Sequence, residues 1–232
     1  MAKVKDVIDV ALKRVGKTEY PPGSNNIDCN TWYYGHEVNG SAYPWCCVEM
    51  NYDFFLANAS NLITRTASTT AMAKWFNSNG RFCSTPQKGA LVIFNFRTPT
   101  AWGDHIGLVT DVLPDGKVKT VEGNTSSGNG GSQDNGGCVA IKTRKSNIVG
   151  YCIPTFSDAK PITRITIKQG SKGADVYYLQ SVLSVLGYTV GKVDGSFGPK
   201  TKSAFMEWQH DTFADPAEWD GICGPKSWAL LR

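Results

Sequence analysis

The sequence predicts an α+β architecture followed by a second, all-helical unit, on three observations. Segments with helical periodicity fill the first third of the chain. Short β-branched runs separated by Gly, Asn, Pro and Asp follow, from residue 89 to residue 154. Beyond about residue 165 a seven-residue turn element occurs twice, each copy leading into a helical segment. Helices first and strands afterwards is the α+β order.

The opening MAKVKDVIDVALKRVG places Val4, Val7, Ile8, Ala11, Leu12 and Val15 at helical spacing, unlike the unbroken apolar core of a secretory signal. Synthesis in the cytoplasm, without a signal peptide of its own, is the expectation. The stretch YPPGSNNIDCNTWYYGHEVNGSAYP is rich in turn formers and reads as a long loop. A second helix is predicted from Cys46 to about Ala59, entered through Pro44 and Trp45, and a third from Ala67 to Asn77. Strands are predicted at 89–96, 105–112, 117–123, 137–144 and 148–154. The polar, proline-bearing TFSDAKPITRI marks a seam, which gives a first domain over 1–156, a linker over 157–164 and a second domain over 165–232. There, Asp194-Gly195-Ser196-Phe197-Gly198-Pro199-Lys200 recurs as Asp220-Gly221-Ile222-Cys223-Gly224-Pro225-Lys226. Helical segments are expected over 175–186, 201–209 and 227–231.

Composition excludes several classes. With 41% hydrophobic and 19% charged residues the chain is globular rather than disordered. The net charge of +4 is spread out, unlike the basic stripe of a nucleic-acid binder. It suits ordinary solubility or an anionic surface equally. No apolar run reaches the length of a membrane span. Seven cysteines, an odd number without a regular framework, fit reduced thiols. No C-x-x-C pair occurs, and His36, His105 and His210 do not group with cysteines, so no metal site is assigned.

Cys46 is the cysteine with chemical promise. At a helix N-terminus a thiol feels the partial positive charge that favours the thiolate, and nearby backbone N–H groups can hold an oxyanion. Such a nucleophile needs a base, normally a histidine held by a third polar group. His105 opens the strand HIGLVTDV, and Glu122 and Asn124 lie two residues apart on the next strand, hence on one face. Each residue alone is more often structural than catalytic.

In this order, PWCCVEMNYDFF, GALVIF, DHIGLV, VEGNTSS and the closing Ile148-to-Tyr151 segment resemble the CHAP domain, a papain-like fold of the NlpC/P60 kind. The resemblance covers 1–155. It implies Cys46 as nucleophile, His105 as general base, Glu122 as the group orienting the imidazole and Asn124 as a further polar partner. Cys47 competes with Cys46, but it shares a helical stripe with Met50 and Phe54, which predicts burial, and Cys46 directly follows tryptophan as the pattern requires. Some CHAP domains carry an Asp-rich calcium loop. The corresponding loop here offers Asp28 among asparagines, without Asp-x-Asp spacing, so no calcium site and no cofactor are assigned. Trp32, Tyr33, Tyr34 and Trp102 are candidates to flank a substrate groove, packing being the alternative for each. His36 and His210 read as solvated residues.

The segment from 165 to 231 resembles a three-helix peptidoglycan-binding domain of the PG_binding_1 type, through Gly-Ser-x-Gly, Leu-Gln, Leu-Gly-Tyr and Asp-Gly-x-Phe-Gly-Pro-x-Thr. Tyr188, Asp194 and Phe197 are its candidate groove residues; Cys223 replaces the aromatic in the second copy. Together the resemblances imply a monomeric phage endolysin, held in the host cytoplasm until lysis, whose partner is bacterial peptidoglycan. It would cut as an N-acetylmuramoyl-L-alanine amidase or as a peptide-stem or cross-bridge endopeptidase. A non-catalytic wall-binding protein and a papain-like protease acting on proteins are the alternatives.

Overall fold

The computed structural model describes residues 1–97, 102–128 and 131–231. Helices α1 (Val4–Arg14), α2 (Asp28–Tyr34), α3 (Cys46–Leu56) and α4 (Thr69–Ser78) precede the sheet. Its strands are β1 (Phe82–Cys83), β2 (Leu91–Phe94), β3 (His105–Val112), β4 (Val118–Thr125), β5 (Cys138–Arg144) and β6 (Ile148–Cys152). They lie in the order β1-β6-β2-β3-β4-β5, and every neighbouring pair is antiparallel. Helices α5 (Ala174–Val185), α6 (Pro199–Thr212) and α7 (Pro225–Leu230) form the C-terminal region. Among the described residues no helix is long and apolar enough to cross a membrane.

The alternation of strand side chains divides the sheet into two faces. Leu91, Ile93, Ile106, Leu108 and Val121 point to the helices and join Val7, Ala11, Met50, Phe54 and Phe76 in the main core. Val92, Phe94, Val109, Val118 and Tyr151 form a smaller core on the opposite face. Burial on both faces explains why these strands read as apolar runs.

Two elements depart from the sequence reading. The expected loop contains α2, seven residues of modest helix propensity that tertiary contacts hold. Arg14 donates two hydrogen bonds to Asp28 (2.7 and 3.0 Å), Cys29 is fully buried, and the Asn30 amide bonds the carbonyls of Asn25 and Tyr43. The helix stops at Gly35, whose φ of 79° is left-handed. Strand β1 is two residues long, too short to show a period.

In the C-terminal region both copies of the repeat are pinned the same way. Gln180 of α5 accepts from Gly195 N (2.8 Å) and donates to Asp194 (3.1 Å), whose carboxylate accepts from Ser196 N. Gln209 of α6 accepts from Gly221 N (2.8 Å) and donates to Asp220 (3.0 Å), whose carboxylate accepts from Ile222 N. Both glycines have φ of 70°, and both prolines open the following helix. One turn design thus serves α5–α6 and α6–α7.

This region is seated on the first. Arg164 donates to the Phe82 and Gly80 carbonyls (2.9 Å each) and to Asp175 (2.7 Å), and its guanidinium lies 3.7 Å from the Tyr178 ring centre. Asn77 of α4 donates to Ser181 of α5 (2.9 Å), and Tyr177 stacks on Trp102 at 4.2 Å. Ala159 and Ile162 of the intervening segment pack against the two cores of the first unit.

The buried glutamines yield a prediction. Gln180→Ala and Gln209→Ala each strip a turn of its acceptor and leave a glycine N–H unpaired, so each should lower unfolding stability by about 1–3 kcal/mol in chemical denaturation. An effect on one turn only would show that the two copies are not equivalent.

Candidate active site

The site is built where the start of α3 meets the middle of the sheet. Trp45, fully buried, precedes the first helical residue, and its indole N–H reaches Glu19 (3.3 Å). No side chain caps α3, so the N–H groups of its first turn point outward uncapped beside the Cys46 thiol. Cys46 is 6% exposed, with its sulfur 3.9 Å from the Thr69 hydroxyl on α4. Cys47 turns inward: it is fully buried, its sulfur donates to the Thr66 carbonyl (3.3 Å), and burial pushes its thiol well above the ordinary value. A protonated, enclosed thiol is a packing residue, which favours Cys46 as the reactive one.

Two bare backbones make the approach possible. A Cβ on Gly123 would come within 2.6 Å of the Glu49 Cβ and 3.0 Å of the Trp45 ring, so α3 lies directly on β4 at this point. A Cβ on Gly107 would come within 2.6 Å of the Glu122 Cγ, so the Glu122 side chain crosses β3 through the space that glycine leaves. The glycines in His-Ile-Gly and Glu-Gly-Asn are therefore spatial requirements of the site.

His105, the first residue of β3, is fully buried. It pairs with Phe94 in register and shares that residue's face of the sheet, with Phe94 and Phe96 ring centres 6.0 and 5.6 Å away. Its Nε2 donates to Glu122 (3.1 Å). Among the described residues Nδ1 has no hydrogen-bond partner, which leaves it open to the Cys46 thiol. Burial opposes a charge on the ring, but Cys46 and Glu122 outweigh it and raise the imidazole to about 9.

Glu122 is also fully buried, which alone would neutralise it. Against that burial, hydrogen bonds from Arg144 and His105 hold the carboxyl down at about 2. Arg144 of β5 donates to both oxygens (2.9 and 2.5 Å), and the Thr120 hydroxyl donates to Oε1 (2.6 Å). No motif of the sequence reading includes Arg144. Its only sequence signal is position, since it stands opposite Val118, on the same face as Thr120 and Glu122.

Asn124 lies apart from this chain. The register shifts between Glu122 and Thr125, and Asn124 takes φ of 55°, so strict alternation does not carry it onto the Glu122 face. Its amide donates to Asn135 (3.2 Å), and among the described residues its buried Oδ1 has no partner and it bonds neither His105 nor Cys46.

The candidate binding residues are dispersed. Trp32 stacks near Tyr52 and Phe55 under the Arg65 guanidinium, lining a cavity of about 110 Å³ with Asn51 and Ile63. Tyr33 and Tyr34 contact one another edge-on beside it. Trp102, directly before Gly-Asp-His, is sandwiched near Phe82 and Tyr177, so it belongs to the seat between the two units. Tyr188 is half-buried and bonds Asp211 (3.0 Å). Asp194 is spent on its own turn. Phe197 is corrected from groove to core: it is 2% exposed and meets Phe205 edge-on, so its ring presents no face to a ligand. Asp28, in the loop compared with a calcium loop, bonds Arg14 through both oxygens.

The His105–Glu122 pair makes stability depend on pH in a definite sense. His105 is raised from 6.5 to about 9, so its contribution is full below pH 6.5 and lost as pH rises through about 9. Glu122 is lowered from 4.5 to about 2, so its contribution is full above pH 4.5 and lost as pH falls through about 2. The stability gap between wild type and Glu122→Gln should therefore be widest between pH 4.5 and 6.5. A gap that stays flat with pH would refute this coupling.

Comparison with known proteins gives matches to two families, to a curated protein and to solved structures. Residues 37–124, which include Cys46, His105, Glu122 and Asn124, match the CHAP domain. Residues 172–231 match the "Putative peptidoglycan binding domain" family. A protein of Kitasatospora aureofaciens from the bpoA1 3' region is 35% identical over 96 residues, 41% of this chain and 72% of that protein. Among solved structures, a peptidoglycan-binding protein from Clostridioides difficile in complex with glutamine hydroxamate is similar at 27% identity and a TM-score of 0.27, covering 53% of this chain and 74% of that one. The wild-type endolysin LysIME-EF1 is similar at 18% identity and a TM-score of 0.37, covering 68% of this chain and 67% of that one. The chain is thus a CHAP-domain protein, of the amidase/peptidase hydrolase class, that also carries a C-terminal peptidoglycan-binding domain.

Proposed function

We propose that the chain is an endolysin-type enzyme that hydrolyses an amide bond of bacterial peptidoglycan, as an N-acetylmuramoyl-L-alanine amidase or a peptide-stem or cross-bridge endopeptidase. The observation that carries this reading is the buried series Cys46, His105, Glu122 in a chain that also bears a peptidoglycan-binding domain.

In the proposed cycle the Cys46 thiolate attacks the amide carbonyl carbon, and the oxyanion is held by first-turn N–H groups of α3. The imidazolium of His105 gives its proton to the leaving nitrogen as the C–N bond breaks, leaving a thioester on Cys46. Water, losing its proton to His105, attacks the thioester and releases the carboxylic acid and the thiol. Glu122 holds the ring in the orientation that directs Nδ1 to the thiol and stabilises its positive charge. The C-terminal unit keeps the enzyme on its polymer, so the local substrate concentration stays high without tight binding at the catalytic cleft.

Digestion of purified Gram-positive sacculi with mass spectrometry of the fragments tests this. Cys46→Ala should lose at least about 10⁴-fold in rate, while Cys47→Ala keeps most of it. New muramic-acid and L-alanine ends would identify an amidase, and new peptide ends an endopeptidase. Wall binding by wild type without cleavage would point to a binding protein instead. The rate should also fall as pH rises through about 9, where His105 loses its proton. An undiminished rate above that pH would remove His105 as the acid.

A further inference from the structure

From the geometry around Glu122 we infer that Arg144 is a positioning residue of the active site, one that fixes Glu122 in the place and the ionised form in which it receives the His105 N–H. The inference rests on the functional reading above and extends it by one residue that none of the motifs contains.

Among the described residues Glu122 has four hydrogen bonds on its two oxygens. Oε1 accepts from Arg144 Nε and Thr120 Oγ1, and Oε2 from Arg144 Nη2 and His105 Nε2. Among the described residues only Arg144 reaches both oxygens, with the two-pronged geometry of a guanidinium fork. The register sharpens the choice. Lys142 stands opposite Thr120, closer along the strand to Glu122 than Arg144 is, yet its Nζ donates to the Gly128 carbonyl (2.7 Å). The cation that serves Glu122 is the planar one from further down β5.

Arg144 is in turn held. Its guanidinium lies 5.0 Å from the Phe96 ring centre and 5.5 Å from that of Phe94, and Nη1 donates to Gln133 (3.1 Å). The same two rings, stacked at 5.2 Å, flank His105. One aromatic platform therefore aligns the guanidinium and the imidazole on either side of the carboxylate. The charged and titratable groups around Glu122 are His105 from β3, Arg144 and Lys142 from β5, and Cys46 from α3 through His105. Glu49 of α3 lies against Gly123, but its carboxylate bonds Arg14. Without Arg144 a fully buried carboxylate would have one neutral hydroxyl and the imidazole as partners, and burial would favour its protonated form.

The test compares Arg144→Met and Arg144→Lys with wild type by three readings. Thermal unfolding reports the fold. Carbon NMR of the Glu122 carboxyl and of the His105 ring follows their titration without substrate. The pH–rate profile on sacculi reports catalysis. In Arg144→Met the Glu122 midpoint should rise by at least about one pH unit, and the acid limb of the rate profile should rise with it. The rate at neutral pH should fall about a hundredfold, mostly in kcat. Arg144→Lys, with charge but no fork, should keep Glu122 ionised and recover only part of the rate. A folded Arg144→Met with wild-type Glu122 titration and an unmoved acid limb overturns the inference. Should that variant fail to fold, wild-type kcat together with unchanged Glu122 and His105 signals in Arg144→Lys overturns it equally. If wild type cuts no wall, the functional reading fails, and the substrate-free titration of Glu122 alone decides the role of Arg144.

Discussion

Helix α3 rests on the bare backbone of Gly123, and most of the site's geometry follows from that contact. Any side chain there would meet Glu49 and Trp45 and lift the helix from the sheet. With the helix down, its first residue, Cys46, arrives where β3 begins with His105, and Glu49 reaches the Arg14 guanidinium of α1 (2.5 Å). Arg14 also bonds Asp28 of α2, so three helices are locked around one cation. A close approach of backbones is unforgiving: the thiol–imidazole encounter depends on an interval that a single methyl group would spoil.

Two buried ionic clusters hold this region, and they behave differently. Around Arg14 the arrangement is structural. Its bonds to Asp28 and Glu49 raise its already high pKa further, while Asp53, fully buried and 3.8 Å from Arg14 Nε, has no hydrogen-bond partner among the described residues and is pushed well above the carboxylate range by burial. A neutral Asp53 avoids the cost of a second buried negative charge, beside that of Glu49, at one arginine. Around Glu122 the balance is kept close instead. Arg144 and His105 share one carboxylate, so the imidazole keeps a proton that it can still release. The sheet divides the labour: main-core residues of β3 and β4 face the helices, whereas His105, Glu122 and Arg144 occupy the other face, and His105, the first residue of β3, is the one that interacts with Cys46.

The C-terminal unit is more than an appended ligand-binding module. Arg164, placed by the sequence in a linker, bonds the backbone of the Gly80–Phe82 segment and Asp175 at once, and Tyr177 covers Trp102 three residues before His105. Polar and aromatic contacts of this kind fix the relative orientation of two units, where a bare tether would set only their distance.

The sequence by itself determined the α+β order, the five longer strands and the C-terminal helical repeat, and it singled out Cys46 and His105 as candidates, because periodicity, turn residues and helix entry are local properties of the chain. Even the two glycines were visible as letters in His-Ile-Gly and Glu-Gly-Asn, though not as spaces. What was hidden is long-range. Helix α2 exists because Arg14 holds Asp28, and its own residues give little sign of it. Asn124 leaves the Glu122 face because of a bulge that alternation counting does not foresee. Phe197 belongs to a core, and Trp102 to a seat between units, because burial depends on what folds over a residue rather than on its type. Arg144, 22 residues from Glu122, meets it only through the register of β4 with β5. Tertiary structure decided these points because each is a distance between strands or helices, a quantity that no local stretch of sequence contains.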